Sequence, residues 1–175
     1  MLYKIITLSR HGFRILGCAL FVLFLPATNA VAWEGMVVKV VDGDSLRVRR
    51  DETMHEIRLY GIDTPEYRQA YSNKAKQLTK RLAYGQRVIV EEKDVDRYGR
   101  IVALVTSRGR LVNRELVREG LAWYYPKYCR DQPLCGELRQ LEEKAKKQRR
   151  GIWQDANPVS PGEWKRRQKS TGSIK

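Results

Sequence analysis

Residues 36–50, MVVKVVDGDSLRVRR, decide how this chain begins to fold. Two apolar runs flank Asp42-Gly43. Val38 and Val40 fall on one face of the first run, with Val37, Lys39 and Val41 on the other. Beyond the turn, Leu46 and Val48 alternate with Arg47 and Arg49. A period of two on both sides of Asp-Gly predicts a β-hairpin. A third strand follows, where Ile57, Leu59 and Gly61 alternate with Arg58 and Tyr60. Asp44, Asp63 and Glu66 then stand at strand ends, beside the turn-formers Gly43, Gly61 and Pro65. Carboxylates at strand ends are free to converge on one point. Each piece also has a purely structural reading: Asp-Gly as a plain hairpin turn, and Asp63-Thr64-Pro65-Glu66 as a helix start with Pro at its first position.

Downstream the period changes. Tyr71, Ala75, Leu78 and Leu82 are spaced as one face of a helix, with Lys74, Lys76, Lys80 and Arg81 on the others and Gly85 placed to end it. Arg87 to Glu92 predicts a fourth strand and Ile101 to Val105 a fifth, joined by the turn Asp96-Arg97-Tyr98-Gly99-Arg100. Asn113 is positioned to cap a short helix carrying Leu116 and Val117. A last helix is expected from about Pro133 to Arg149, with Leu134, Leu138, Leu141 and Ala145 inward and Gly151 as its stop. The order βββ-α-ββ-α-α predicts an α+β domain dominated by a small β-barrel. It matches the five-stranded Greek-key OB-fold with helices packed on it. This domain spans 33–153. Residues 154–175, with Pro158, Pro161, Gly162 and a Lys/Arg-rich end, read as a basic, mobile tail.

The first 32 residues read as a signal peptide. Lys4, Arg10 and Arg14 precede an uncharged apolar run from Ile15 to Leu25, and small residues offer cleavage near Ala30 or Ala32. The run is short for a membrane span. Export to the periplasm or beyond is expected, with an uncleaved anchor as the alternative. The leader holds no acid, and the chain as a whole carries a net charge of +14. A small, basic, exported protein favours polyanions, either nucleic acid or an anionic envelope surface. Cys129 and Cys135, an even pair at short spacing in an oxidising compartment, suggest a disulfide. Two thiols without a third soft ligand do not make a zinc site. The only histidine beyond the leader is His55, which leaves little material for a His-based metal centre or general base.

The acids and arginines left over suit the chemistry of a phosphodiester. Attack on phosphorus adds charge to its oxygens, and a catalyst must neutralise that charge and position a water. Asp44 and Asp63 are hard oxygen ligands suited to Ca²⁺ or Mg²⁺. Arg58 and Arg100 can each make paired hydrogen bonds to phosphate. Glu66 can orient or deprotonate water.

Asp42-Gly43-Asp44-Ser45, Arg58-Leu59-Tyr60-Gly61-Ile62-Asp63-Thr64-Pro65-Glu66, Asp96-Arg97-Tyr98-Gly99-Arg100 and Leu111-Val112-Asn113 through Gly120-Leu121-Ala122 occur in this order. Together they resemble the staphylococcal nuclease (thermonuclease) family over about Val37 to Trp153. The resemblance implies an OB-fold and a Ca²⁺-dependent nuclease that acts on DNA and RNA and leaves 3′-phosphates. By motif, Asp44 and Asp63 would be metal ligands, and Thr64 would add its carbonyl. Arg58 and Arg100 would hold the scissile phosphate, and Glu66 would take the place of the general base or water-positioning group. Arg97, Tyr98 and Tyr125 would contact substrate, with Tyr124 and Tyr128 as neighbours of similar type. Ser45 stands where the family usually has Thr, the connection after Glu66 is short, and the Cys129–Cys135 segment replaces a polar loop. The rival readings are a non-catalytic OB module that binds nucleic acid, and a basic envelope-surface protein. Neither has a use for Glu66 beside a phosphate. A monomer is expected, with no stable protein partner.

Overall fold

The hairpin is the first part of a closed barrel in the computed structural model, which describes residues 32–172. The expected signal peptide, 1–32, lies outside the described residues except for its last position. The barrel strands are β1 (Ala32–Val40), β2 (Ser45–Arg50), β3 (Thr53–Leu59), β5 (Arg87–Val95) and β6 (Ile101–Ser107). Antiparallel pairings join β1 to β2, β2 to β3, β1 to β5 and β5 to β6. Parallel pairing of β3 with β6, with Arg58 opposite Val102, closes the ring. This is the OB architecture expected from the element order. Three two-residue strands complete the sheets: β4 (Ile62–Asp63), β7 (Arg110–Leu111) and β8 (Trp123–Tyr124).

The alternation read in residues 36–41 is broken in one place. The β1–β2 register shifts between Val37 and Lys39. Val38 is the extra residue, so Val37 and Val40 both turn inward while Val38 is only half-buried. A second shift lies in β5 between Glu92 and Asp94. Bulges bend and twist strands, which is what closing a small barrel demands. The barrel is filled by Val37, Leu46, Val48, Ile57, Leu59, Val88, Val90 and Val105.

Helix α1 (Ser72–Ala83) buries Ala75, Leu78 and Leu82, as the spacing predicts, and Gly85 follows it at φ +68°. Tyr71 precedes the helix rather than belonging to it. Thr79 Oγ1 donates to the carbonyl of Gly43 at 2.6 Å, fastening α1 beneath the β1–β2 turn. A Cβ on Gly43 would lie 2.6 Å from Thr64 Oγ1 and 2.9 Å from Ala75 Cβ. Only glycine lets this turn sit between the helix and the Thr64 loop.

Helix α2 (Val112–Arg118) is not capped by Asn113, contrary to the sequence expectation; Leu111 holds the cap position without a side-chain bond. Asn113 is buried inside the first turn. Its Oδ1 accepts from Val105 N at 3.1 Å, and its Nδ2 donates to the carbonyls of Tyr60 at 3.0 Å and Ala103 at 3.3 Å. It stands in for ladder bonds where β3 leaves β6. Helix α3 (Gln132–Lys147) buries Leu134, Leu138 and Ala145, with Leu141 packed at the core's edge. Cys129 and Cys135 are joined, their sulfurs 1.99 Å apart.

The terminal stretch read as a tail contains a helix, α4 (Pro161–Gly172). Ser160 Oγ accepts from Glu163 N at 3.3 Å, and Pro161 occupies the first helical position. Ser160-Pro161-Gly162-Glu163 is therefore a helix start with an N-cap and an acid in its first turn. Sequence reading took its Pro and Gly only as breakers.

Candidate active site

Asp44 ends the β1–β2 turn and is 1 % exposed. Its backbone N–H donates to Asp42 Oδ1 at 3.1 Å, and its carbonyl accepts from Leu59 N at 2.8 Å, locking the turn to β3. One carboxylate oxygen accepts from both Thr64 N (2.7 Å) and Thr64 Oγ1 (2.8 Å). The other accepts from Ser45 Oγ at 3.3 Å and from Arg58. The Arg58 guanidinium reaches across to Asp63 Oδ1 at 2.5 Å. One planar cation thus spans two carboxylates that are 19 residues apart in the chain.

Asp63 is aimed by a short, tightly held element. The backbone turns at Gly61, φ +72°, and β4 pairs with β8, placing Asp63 opposite Trp123. A Cβ on Gly61 would lie 3.0 Å from Cys129 Sγ and 3.3 Å from Leu138 Cδ1. The disulfide and α3 therefore back the turn that presents Asp63. The carbonyl of Gly61 accepts from Tyr125 N at 2.9 Å, which adds the aromatic segment to the same support.

Burial pushes the Asp44 carboxyl up, to about 7. The negative charges of Asp42 and Asp63 push the same way, against the pull of Arg58 and the Thr64 N–H. Arg58 is held above its ordinary value; burial opposes its charge, and Asp44 and Asp63 more than offset that. The pocket's demand is for positive charge. Two carboxylates already converging on one cation, lined with oxygen donors, fit a hard divalent ion such as Ca²⁺ or Mg²⁺. Among the described residues, no group of three or more His, Cys, Asp and Glu forms a metal cage. An ion held by Asp44 and Asp63 would therefore complete its shell with water, carbonyl or substrate oxygen.

Glu66 stands on the next loop, fixed by Gln69. Glu66 N donates to Gln69 Oε1 at 2.9 Å, and Gln69 N donates back to the Glu66 carbonyl at 2.9 Å. The Glu66 carboxylate pairs with Lys165 of α4, Nζ to Oε1 at 2.7 Å. Arg100 arrives from the β5–β6 hairpin, two residues before Val102, the partner of Arg58 across β3–β6. Its guanidinium is held by Asp96, with Nε 2.8 Å and Nη2 2.7 Å from Oδ2. Asp96 Oδ1 accepts from the backbone N–H groups of Tyr98 and Arg100, so one acid shapes the turn and parks the arginine. Tyr98 is exposed beneath two guanidinium groups, Arg97 at 4.8 Å and Arg100 at 5.7 Å from its ring centre.

Asp44, Arg58, Asp63 and Thr64 are in direct contact. Glu66 adjoins them along the chain, while the contacts of Arg100 are with Asp96 and Tyr98. Among the aromatics, Tyr124 packs against the core, whereas Tyr125 and Tyr128 form an open pair with ring centres 5.1 Å apart. Sequence reading missed Gln69 and Lys165. Gln69 has no signature, since its role is a tertiary bond. Lys165 was one cation among many, and only the Ser160–Glu163 helix start could have drawn attention to its segment.

Residues 56–155 match the family described as "Staphylococcal nuclease homologue". The chain is 34 % identical over 161 residues to a protein named "Micrococcal nuclease" from Shigella flexneri, covering 87 % of this chain and 91 % of that one. It is 41 % identical over 134 residues to an "Uncharacterized endonuclease" of Escherichia coli, covering 76 % and 85 %. It is also 34 % identical over 170 residues to "Protein ParB" of Escherichia coli, covering 91 % and 95 %. With more than half of its length matched and a site assembled from the motifs in their expected order, the chain belongs to the staphylococcal nuclease family.

Proposed function

We propose that this phosphodiester-cleaving endonuclease acts on both DNA and RNA with a bound divalent cation, Ca²⁺ in preference to Mg²⁺, and leaves 3′-phosphate ends. The observation that carries the reading is the convergence of Asp44 and Asp63 on the Arg58 guanidinium, with Glu66 on the adjoining loop. Asp44, Asp63 and the Thr64 carbonyl would hold the ion, which when bound supplies charge neutralisation at the scissile phosphate. Arg58 and Arg100 wait on carboxylates, Asp44 and Asp63 for one and Asp96 for the other. Each exchanges a carboxylate for phosphate oxygens when substrate arrives, keeping a paired, charge-assisted geometry. Glu66 orients the attacking water and accepts its proton. Tyr98 with Arg97, and Tyr125, offer faces for the nucleotide.

Export is part of the same proposal. A leader cleaved near Ala30 or Ala32 and the joined Cys129 and Cys135 suit an oxidising compartment. The enzyme works there as a monomer.

The test is cleavage of linear DNA and RNA by the mature protein with Ca²⁺, with Mg²⁺ and with chelator, alongside Glu66→Ser and Asp44→Ala. Wild type should cut both polymers only with metal, and best with Ca²⁺. Both variants should lose at least about 100-fold in kcat. Products should resist primer extension until treated with phosphatase. No cutting in any divalent metal ends the metal-dependent reading. A Glu66→Ser variant as fast as wild type removes Glu66 from its role.

A further inference from the structure

Helix α4 lies beyond the family-matched segment, 56–155, yet it reaches the catalytic loop. Two contacts hold it there. Gln69, whose Oε1 already accepts from Glu66 N, donates through Nε2 to the carbonyl of Val159 at 2.6 Å. Lys165 then places its ammonium 2.7 Å from the Glu66 carboxylate. Partial burial pulls Lys165 down, but the bond and charge of Glu66, with Asp63 behind it, hold it above its ordinary value even with Arg58 nearby. The ammonium is therefore firmly charged, and it lies within electrostatic reach of Glu66, Asp63 and Arg58 together.

The helix bearing it is strongly basic. Lys165, Arg166, Arg167 and Lys169 face one acid, Glu163, which Arg167 pairs at 2.6 Å. Glu66 and Asp63 attract Lys165 while Arg58 opposes it, and a basic helix on a chain of net charge +14 favours a polyanion running past Glu66. A purely structural ion pair explains the placement poorly, because the Lys165 side chain is 57 % exposed and such pairs contribute little. Exposure with a flexible stem suits a group that changes partners.

We propose that α4 is a wall of the substrate groove and that Lys165 binds a phosphate neighbouring the scissile one, leaving Glu66 when the strand arrives. This deepens the nuclease reading above and rests on it. Lys165 parks on the carboxylate of Glu66 in the free enzyme, as Arg100 parks on Asp96. Its departure frees Glu66 for water at the moment substrate is seated.

The test uses the mature protein with α4 intact, as wild type, Lys165→Ala and Lys165→Arg. Steady-state cleavage of single-stranded DNA is measured with metal. Binding of a labelled single-stranded oligonucleotide is measured in chelator across a salt series. Lys165→Ala should raise KM about five-fold, the worth of one phosphate contact, with kcat within about two-fold. Its slope of log affinity against log salt should flatten by about 0.7, one counterion on a single strand. Lys165→Arg should restore both. An unchanged KM and salt slope, with or without a lower Tm, would make the pair merely structural and overturn the proposal. A higher kcat in Lys165→Ala would make α4 a restraint on Glu66 and overturn it as well. If wild type cleaves but Lys165→Ala binds like wild type, only this inference falls. If wild type neither binds nor cleaves, the nuclease reading falls first and takes this one with it.

Discussion

Asp44 is a carboxylate with almost no water around it, and its surroundings are built to be completed by positive charge. In the unfolded chain it ionises near 3.8; in the folded, metal-free chain burial holds the proton on up to about 7. The folded state binds the extra proton between those values, so this group's contribution to stability falls as pH rises from about 4 to about 7 and is constant outside that window. Asp44→Asn removes the buried charge but turns an amide NH2 toward either the Thr64 donors or the Ser45 and Arg58 donors, so its net effect at one pH mixes both changes. The pH dependence isolates the charge: in chelator, the stability of Asp44→Asn relative to wild type should rise as pH goes from about 4 to about 7 and level off beyond. Thermal unfolding of both proteins across that range checks it, and a difference that does not change with pH would mean that Asp44 does not titrate there.

At the scale of elements, the site depends on strand ends being held where they would otherwise fray. Three devices hold them. The Thr79 hydroxyl pins the Gly43 carbonyl, the disulfide and α3 back Gly61, and Asn113 bridges β3, β6 and α2. Asn113 is the most exposed to test, since its amide satisfies Val105 N, Tyr60 O and Ala103 O in a fully buried place. Asn113→Ala takes the amide away from Val105 N and the Tyr60 carbonyl, while the Ala103 carbonyl keeps its bond from Tyr60 N, and should cost about 2–4 kcal/mol, read as a lower denaturant midpoint at unchanged m. Because Tyr60 leads directly into the Gly61 turn that presents Asp63, the variant should also weaken metal affinity at temperatures where it stays folded. A shift below about 0.5 kcal/mol would mean that water replaces the amide.

For the whole molecule, the barrel is closed on itself and the rest is laid against it. Strands β1, β2, β3, β5 and β6 share one core, whereas α4 is joined to the Glu66 loop through Gln69–Val159 and Lys165–Glu66. Native-state hydrogen exchange should separate the two. Central amides of the five strands should exchange only by global unfolding, and those of α4 by local opening at much lower free energy. Saturation with non-cleavable single-stranded DNA should slow exchange in α4 more than in the strands. Equal protection of α4 and barrel in the free protein would show that the terminal helix folds as one unit with the core.

Much of this was legible in the chain because it rests on local rules. A period of two around Asp-Gly, the 4-3-4 spacing before Leu82 and glycines after helices name elements without reference to partners, and motifs in order name the family. What tertiary structure alone decided are relations between distant residues. The Val38 bulge follows from barrel closure, and Asn113 is a bridge and not a cap because β3, β6 and α2 meet around it. Arg58 spans Asp44 and Asp63 because a guanidinium is wide enough for two carboxylates that the fold brings together. Lys165 finds Glu66 across most of the chain, through a helix whose start at Ser160 was written in the sequence but whose docking was not. Local propensity determines which elements form; which charges face one another depends on how the barrel closes, and no short-range pattern carries that information.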